Sequence, residues 1–173
     1  MGDPTRALLT LAAERPWRLI TLRDVAEAAE LPLTELYAQA PSKTALLAKL
    51  SANLDQAALA TAATPSQDVH DRLFDAVMAR LEAMEPDREA LIAIARDAGP
   101  VALVPHFPAT ARAILEAAGV EATPVRLAAM IAVWARVAQV WRDDEGALNR
   151  TMAEIDKRLK EMRRRLGRVR AGF

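Results

Sequence analysis

Apolar side chains along this chain recur at intervals of three and four, the period of a helix with one buried face. Leu8, Leu11 and Ala12 mark a first helix that stops before Pro16. Thr21 predicts the N-cap of a second, with Asp24 completing a capping box and Val25, Ala28 and Ala29 as the buried face. Pro32 suits the first turn of a short third helix over 33–39. Ser42 then caps a long fourth helix that reaches about Ala62. After the break "ATPSQD", a fifth helix over roughly 67–84 carries Val69, Leu73, Val77 and Leu81 on one stripe. Pro86 opens a sixth that ends near "DAGP", and the proline-rich "GPVALVPHFP" reads as a loop or a broken helix. A seventh runs from about Pro108 to Ala118 and stops at Gly119. Pro124 starts an eighth that is apolar nearly all round and should be the most buried. After "RDDEG" a last helix runs to about Arg170. No segment alternates with the period of a strand. The expectation is an all-α chain of about nine helices. A three-helix unit occupies residues 1–50 and a helical bundle residues 51–173, with the fourth helix shared between them.

Composition narrows this. The 173 residues are 52% hydrophobic and 27% charged, enough for a sizeable core and too apolar for a disordered chain. Aromatics are only 4%, and alanine is abundant, which favours closely packed helices. The formal net charge is zero, so any field that attracts nucleic acid must be local. The absence of cysteine excludes disulfides, thiol catalysis and zinc–thiolate sites, and fits a reducing cytoplasm. No signal-peptide pattern is visible at the N-terminus. The longest apolar stretch, Leu127 to Ala135, is stopped by Arg136 and is too short to span a bilayer.

Catalysis is not expected. His70 and His106 lie on separate segments without carboxylates at metal-ligand spacing, and are read as exposed surface histidines. The run Asp143, Asp144, Glu145 precedes a helix and reads as its cap and dipole partner. No glycine loop for phosphate and no nucleophile elbow is present, so neither cofactor nor metal is anticipated.

The stretch "TLRDVAEAAELPLTELYAQAPSKTALLAKL" has the order and spacing of a helix-turn-helix: a supporting helix, a tight turn and a second helix with a free face. It resembles the N-terminal domain of TetR-family regulators through Thr21, Val25, Ala26, Ala29, Leu36, Tyr37, Pro41, Ser42, Lys43 and Leu46, behind a first helix containing "LLTLAAERPW". The resemblance implies a TetR-like fold in which Tyr37 and Lys43 touch phosphates and the third helix reads bases. The DNA-facing set it suggests is Thr21, Arg23, Leu33, Thr34, Glu35, Tyr37, Gln39, Ser42 and Lys43. It further implies a ligand pocket and a dimer interface in the remaining helices.

The chain departs from that pattern. Glu30 stands where glycine is usual, because the turn often needs positive φ. Glu35 replaces a phosphate donor, Ala38 a base and Ala40 an aromatic. Arg6, Arg15, Arg18, Arg23, Lys43 and Lys49 are cancelled by Asp3, Glu14, Asp24, Glu27, Glu30 and Glu35. Binding to duplex DNA should therefore be weaker than usual, although Glu35 could accept from cytosine N4.

In the C-terminal part, Leu148, Met152, Ile155, Leu159, Met162, Leu166, Val169 and Phe173 form a heptad-like seam. Lys157, Arg158, Lys160, Arg163, Arg164, Arg165, Arg168 and Arg170 outnumber the acids beside it. One reading packs this helix on its own bundle or on a twin subunit. Another lays residues 157–170 on an anionic membrane surface. The stripe is narrow, which favours a helix partner. A homodimer through the last two helices would use Leu127, Ile131, Ile155, Leu159, Met162 and Leu166. Phe74, Met78, Phe107, Met130 and Trp134 are candidates to line a pocket for a small apolar ligand, although such residues also make plain core. "DRLFDAVMARLEAMEPDREALIAIARD" and "VWRDDEGALNRTMAEIDKRL" also resemble TetR-fold lipid-binding accessory proteins of ubiquinone biosynthesis. That resemblance implies a lipid carrier without DNA readout as the alternative to a ligand-responsive transcription regulator.

Overall fold

The computed structural model describes residues 2–145 and 147–171, the side chains of 101 and 169–171 excepted. Every regular element among them is helical. The α-helices are α1 (Pro4–Glu14), α2 (Leu22–Ala28), α3 (Leu33–Gln39), α4 (Lys43–Ala60), α5 (Val69–Met84), α6 (Arg88–Ala98), α7 (Pro100–Leu103), α8 (Phe107–Ala117), α9 (Pro124–Asp143) and α10 (Asn149–Ala171). All the expected helices are present. The segment "GPVALVPHFP" is a broken helix: Gly99, at φ 71°, ends α6, α7 makes a single turn, and a 3-10 turn over Val104–His106 follows.

The helices form two compact units, one of residues 1–53 with 86–106, the other of residues 54–85 with 107–173. In the first unit α1 packs on α2 and α6, and α2 on α3. Leu8, Ile20, Val25, Leu36, Leu46 and Ile94 are fully buried there. Asp3 caps α1 by accepting from the Thr5 amide at 2.8 Å. Arg6 pairs with Asp87, and the Trp17 amide donates to Asp97 at 3.3 Å. Residues 86–106 were expected in the bundle and instead complete this core. Three short helices alone bury too little apolar surface to hold together. The buried face of α2 is Val25, Ala26 and Ala29, whereas Ala28 is exposed. Over so short a helix the stripe runs i, i+1, i+4 rather than through i+3.

In the second unit α9 packs on both α8 and α10, and α5 also touches α8 and α10. α9 is not buried all round. Met130, Val133, Trp134, Val137, Val140 and Trp141 face inward, while Ala128, Ala132, Arg136 and Gln139 are exposed. Asp144 accepts from the Thr151 amide at 2.9 Å and its hydroxyl at 2.8 Å, capping α10 as the acidic run suggested. Ile155 and Leu159 are fully buried and Met162 nearly so, all within this one chain. The α10 seam thus serves its own bundle. Phe173 and the side chain of Val169, at the end of that seam, lie outside the described residues.

This core also holds a charge. The Arg80 Nε donates to Asp55 Oδ1 at 2.6 Å, Thr110 donates to the same oxygen at 2.9 Å, and the guanidinium lies 4.5 Å from the Trp134 ring centroid. Arg80 and Asp55 are each only 5% exposed and Thr110 is sealed. Burial pushes the Arg80 pKa down, and Asp55 opposes that shift. A guanidinium does not give up its proton in a protein, so the charge must stay paired. Asp55→Ala should cost about 3–5 kcal/mol of unfolding free energy, since it removes a carboxylate that pairs with a buried cation. The double change Asp55→Leu with Arg80→Met should recover most of that loss in urea unfolding. A double variant no better than the single one would mean that the pair is not what the core depends on.

Candidate nucleic-acid interface

The first half of the helix-turn-helix is set by a reciprocal cap. The Thr21 hydroxyl accepts from the Asp24 amide at 3.2 Å, and the Asp24 carboxylate accepts from the Thr21 amide at 2.7 Å. The Thr21 hydrogen bonds hold Asp24 below the usual carboxylate range, with Arg15 adding to the effect.

The turn is set by the backbone. Leu31 N–H donates to Ala26 C=O at 2.9 Å, and Glu30 N–H to Glu27 C=O at 3.2 Å. This paired closure requires the residue after the C-cap to be left-handed, and Glu30 has φ 54°. The same pairing recurs after α8, where Val120 donates to Leu115 at 2.9 Å and Gly119 to Glu116 at 3.0 Å. There a glycine at φ 68° takes the left-handed position without steric cost. The turn at Glu30 therefore has the geometry that the departure from glycine put in question.

α3 is mounted with almost all of its surface free. Only Leu36 is buried, while Leu33, Thr34, Glu35, Tyr37 and Gln39 are exposed, Tyr37 to 59%. Gln39 donates to Glu35 at 3.4 Å. Ala40, where an aromatic was expected, is fully buried. Ser42 accepts from the Ala45 amide at 3.0 Å and so caps α4.

The expected cations are engaged with the protein itself. Arg23 pairs with Glu27 one turn on, at 3.1 Å; both are exposed, and such pairs are weak enough to exchange for a phosphate. Lys43 is different. Its ammonium donates to the Trp17 carbonyl at 2.6 Å and lies 4.4 Å from the Trp17 ring centroid. Burial there pushes the Lys43 pKa down. In this structure Lys43 ties the start of α4 to the 3-10 turn Trp17–Leu19, where a carbonyl and a π face together hold the cation.

The predicted pocket and dimer residues lie in the second unit. Met130 and Trp134 are sealed core, while Phe74, Met78 and Phe107 are half-buried. Ile155, Leu159 and Met162, proposed for a dimer contact, are already covered by their own chain, whereas Leu127, Ile131 and Leu166 remain partly exposed. His70 and His106 are half-buried rather than exposed. His70 Nε2 meets Asp156 Oδ1 at 2.9 Å, which draws the ring in against α10. His106 sits in the 3-10 turn that closes the first unit. Much of the basic character of α10 is answered on the helix itself. Arg158 bonds Glu154 at 2.6 Å and Glu161 at 3.1 Å, and Lys160 bonds Asp156 at 2.7 Å. Lys157, Arg164, Arg165 and Arg168 are exposed. Among the described residues no helix is long and apolar enough to cross a membrane, and no group of side chains could hold a metal ion.

A capped supporting helix, a left-handed turn and a short free helix, set on further helices, define the class of helix-turn-helix proteins with an all-α body. Within it, the chain resembles a solved TetR transcriptional regulator from Rhodococcus sp. RHA1, with a TM-score of 0.69 at 18% sequence identity over 92% of each chain. The chain has the TetR-like fold. No protein-family model and no curated protein matches it.

Glu30 supplies the test of the turn. A side chain held left-handed costs about 1–2 kcal/mol, of which glycine's extra unfolded freedom returns part. Glu30→Gly should therefore raise the stability of the protein by about 0.5–1 kcal/mol in urea unfolding, and Glu30→Val should lower it. An unchanged or lower midpoint for Glu30→Gly would show that the turn is not strained.

Proposed function

We propose that this chain is a DNA-binding transcription regulator of the TetR type, a homodimer in the cytoplasm that answers to a small ligand held in its second unit. It acts by binding, not by catalysis. The observation that carries this reading is the presentation of α3. Seven residues long, it is anchored by the single buried side chain of Leu36 and shows Leu33, Thr34, Glu35, Tyr37 and Gln39 to solvent. A helix with so little core to fill is suited to laying its face in a major groove. The TetR-like fold supports the same reading.

Electrostatics make the dimer necessary. One reading head offers Arg23 after exchange of Glu27, while Lys43 is held on Trp17 and Glu35 repels phosphate. Two heads on one duplex double the contacts without new ones on either. α4 contributes residues to both units, which gives a ligand-induced shift a covalent route to the head.

Anisotropy of a labelled random duplex, titrated at several salt concentrations, tests the proposal without a known operator. Binding should be detectable at low salt and weaken steeply as salt rises. Arg23→Ala, which removes one contact from each head of the dimer, should flatten the salt slope by about two units. Lys43→Ala should leave the slope unchanged and lower the melting temperature, since its amine holds Trp17. Glu35→Gln should tighten binding. A wild-type chain that shows no binding even at low salt would overturn the proposal.

A further inference from the structure

The described part of the second unit contains a cleft of about 740 Å³ between the start of α5, the α8–α9 turn, the start of α9 and the far end of α10. That volume falls in the range of small-molecule sites, and the cleft is open to solvent on one side. Leu73, Leu115, Val120, Met162 and Leu166 supply an apolar wall. None of the residues first expected to line a pocket, Phe74, Met78, Phe107, Met130 and Trp134, borders it.

Two cations stand in the same lining. Arg126 lies 3.9 Å from the Glu121 carboxylate and gives one hydrogen bond, at 3.2 Å, to the Glu121 carbonyl. Arg163 lies 3.9 Å from Asp68. Both ion pairs are longer than a hydrogen bond, so each guanidinium keeps donors in reserve. Among the described lining residues Glu121 is the one carboxylate and is 83% exposed, and Asp68 stands beside Arg163 outside the lining.

Gly167 is a second, independent observation. It lies inside α10, where glycine weakens a helix relative to alanine. Its φ is not positive, the residue is exposed, and a Cβ built there would meet no described atom within 4 Å. Neither backbone conformation nor crowding accounts for it. Gly119, in the same lining, does have a backbone reason, its left-handed turn. What the missing side chain at 167 leaves is room along the wall of the cleft.

We infer that this cleft binds an amphipathic monoanion, a free long-chain carboxylate, with its hydrocarbon along the Leu73–Leu166 wall past Gly167 and its head group between Arg126 and Arg163. Apolar walls recognise the chain through buried area, and paired guanidinium donors recognise a carboxylate by charge-assisted hydrogen bonds. This deepens the reading of the second unit as ligand-binding and does not depend on DNA binding by the first.

The test uses the full chain without DNA. A long-chain carboxylate whose fluorescence rises out of water is titrated with protein, beside the alcohol of the same chain. Wild type should bind the carboxylate saturably at one site per chain and the alcohol more weakly. Arg126→Glu with Arg163→Glu should weaken the carboxylate by about tenfold or more and leave the alcohol nearly unchanged. Gly167→Leu should abolish binding of both, with a melting temperature equal to or above that of wild type, which separates a filled cleft from a misfolded chain. The inference is overturned by the absence of saturable binding, by binding that survives Gly167→Leu, by arginine variants that weaken both probes equally, or by uptake only onto anionic vesicles. None of these outcomes bears on the duplex titration, so failure of the ligand site and failure of the DNA reading remain distinct.

Discussion

Close approach of helices through alanine is the constraint on which the rest of this structure rests. Ala26, Ala29 and Ala40 are buried in the first unit, and Ala58, Ala76, Ala111 and Ala118 in the second. A small side chain at the crossing lets two helices come near the short end of their usual spacing. Leucine and isoleucine fill what remains, and few large side chains are needed. The three tryptophans that the chain does have are each tied to a charge. Trp17 lies under Lys43, Trp134 lies under Arg80, and the Trp141 indole N–H donates to Glu85. In so tight a core an aromatic ring does double duty, as packing volume and as partner for a charge that burial would otherwise destabilise.

The same economy shapes the reading head. Short helices on small residues leave it little apolar surface, and residues 86–106 complete its core. Its cations serve the structure, since Lys43 closes on Trp17 and Arg6 on Asp87. Glu30 holds a left-handed turn that glycine would hold more easily. The mounting of α3 is therefore well defined, while the charge around it is close to balanced.

In the second unit the narrow α10 stripe is matched to two neighbours at once, α9 and α5. Ile155 and Leu159 are consumed there. The seam runs on to Met162 and Leu166, which reach the cleft, so one helix face is core at its start and cleft wall towards its end. The outer side of α9 remains exposed at Ala128 and Ala132.

The helices were legible in the sequence because helix formation is local. The Thr21–Asp24 box, the proline start at Pro124 and the stop at Gly119 each act within a turn or two of chain. The helix-turn-helix was legible for the same reason, down to the positive φ at Glu30. What the sequence could not show is which distant groups meet. Lys43 finds Trp17 26 positions away, Asp55 meets Arg80 and Thr110 at separations of 25 and 55, and Arg126 and Arg163 come to one cleft from different helices. A lone carboxylate beside the apolar run after it was the only sign that Asp55 would be buried. Whether a basic side chain faces a phosphate, a ring or a ligand depends on the neighbour that tertiary packing supplies. Periodicity carries the face of a helix and not the identity of what lies across from it.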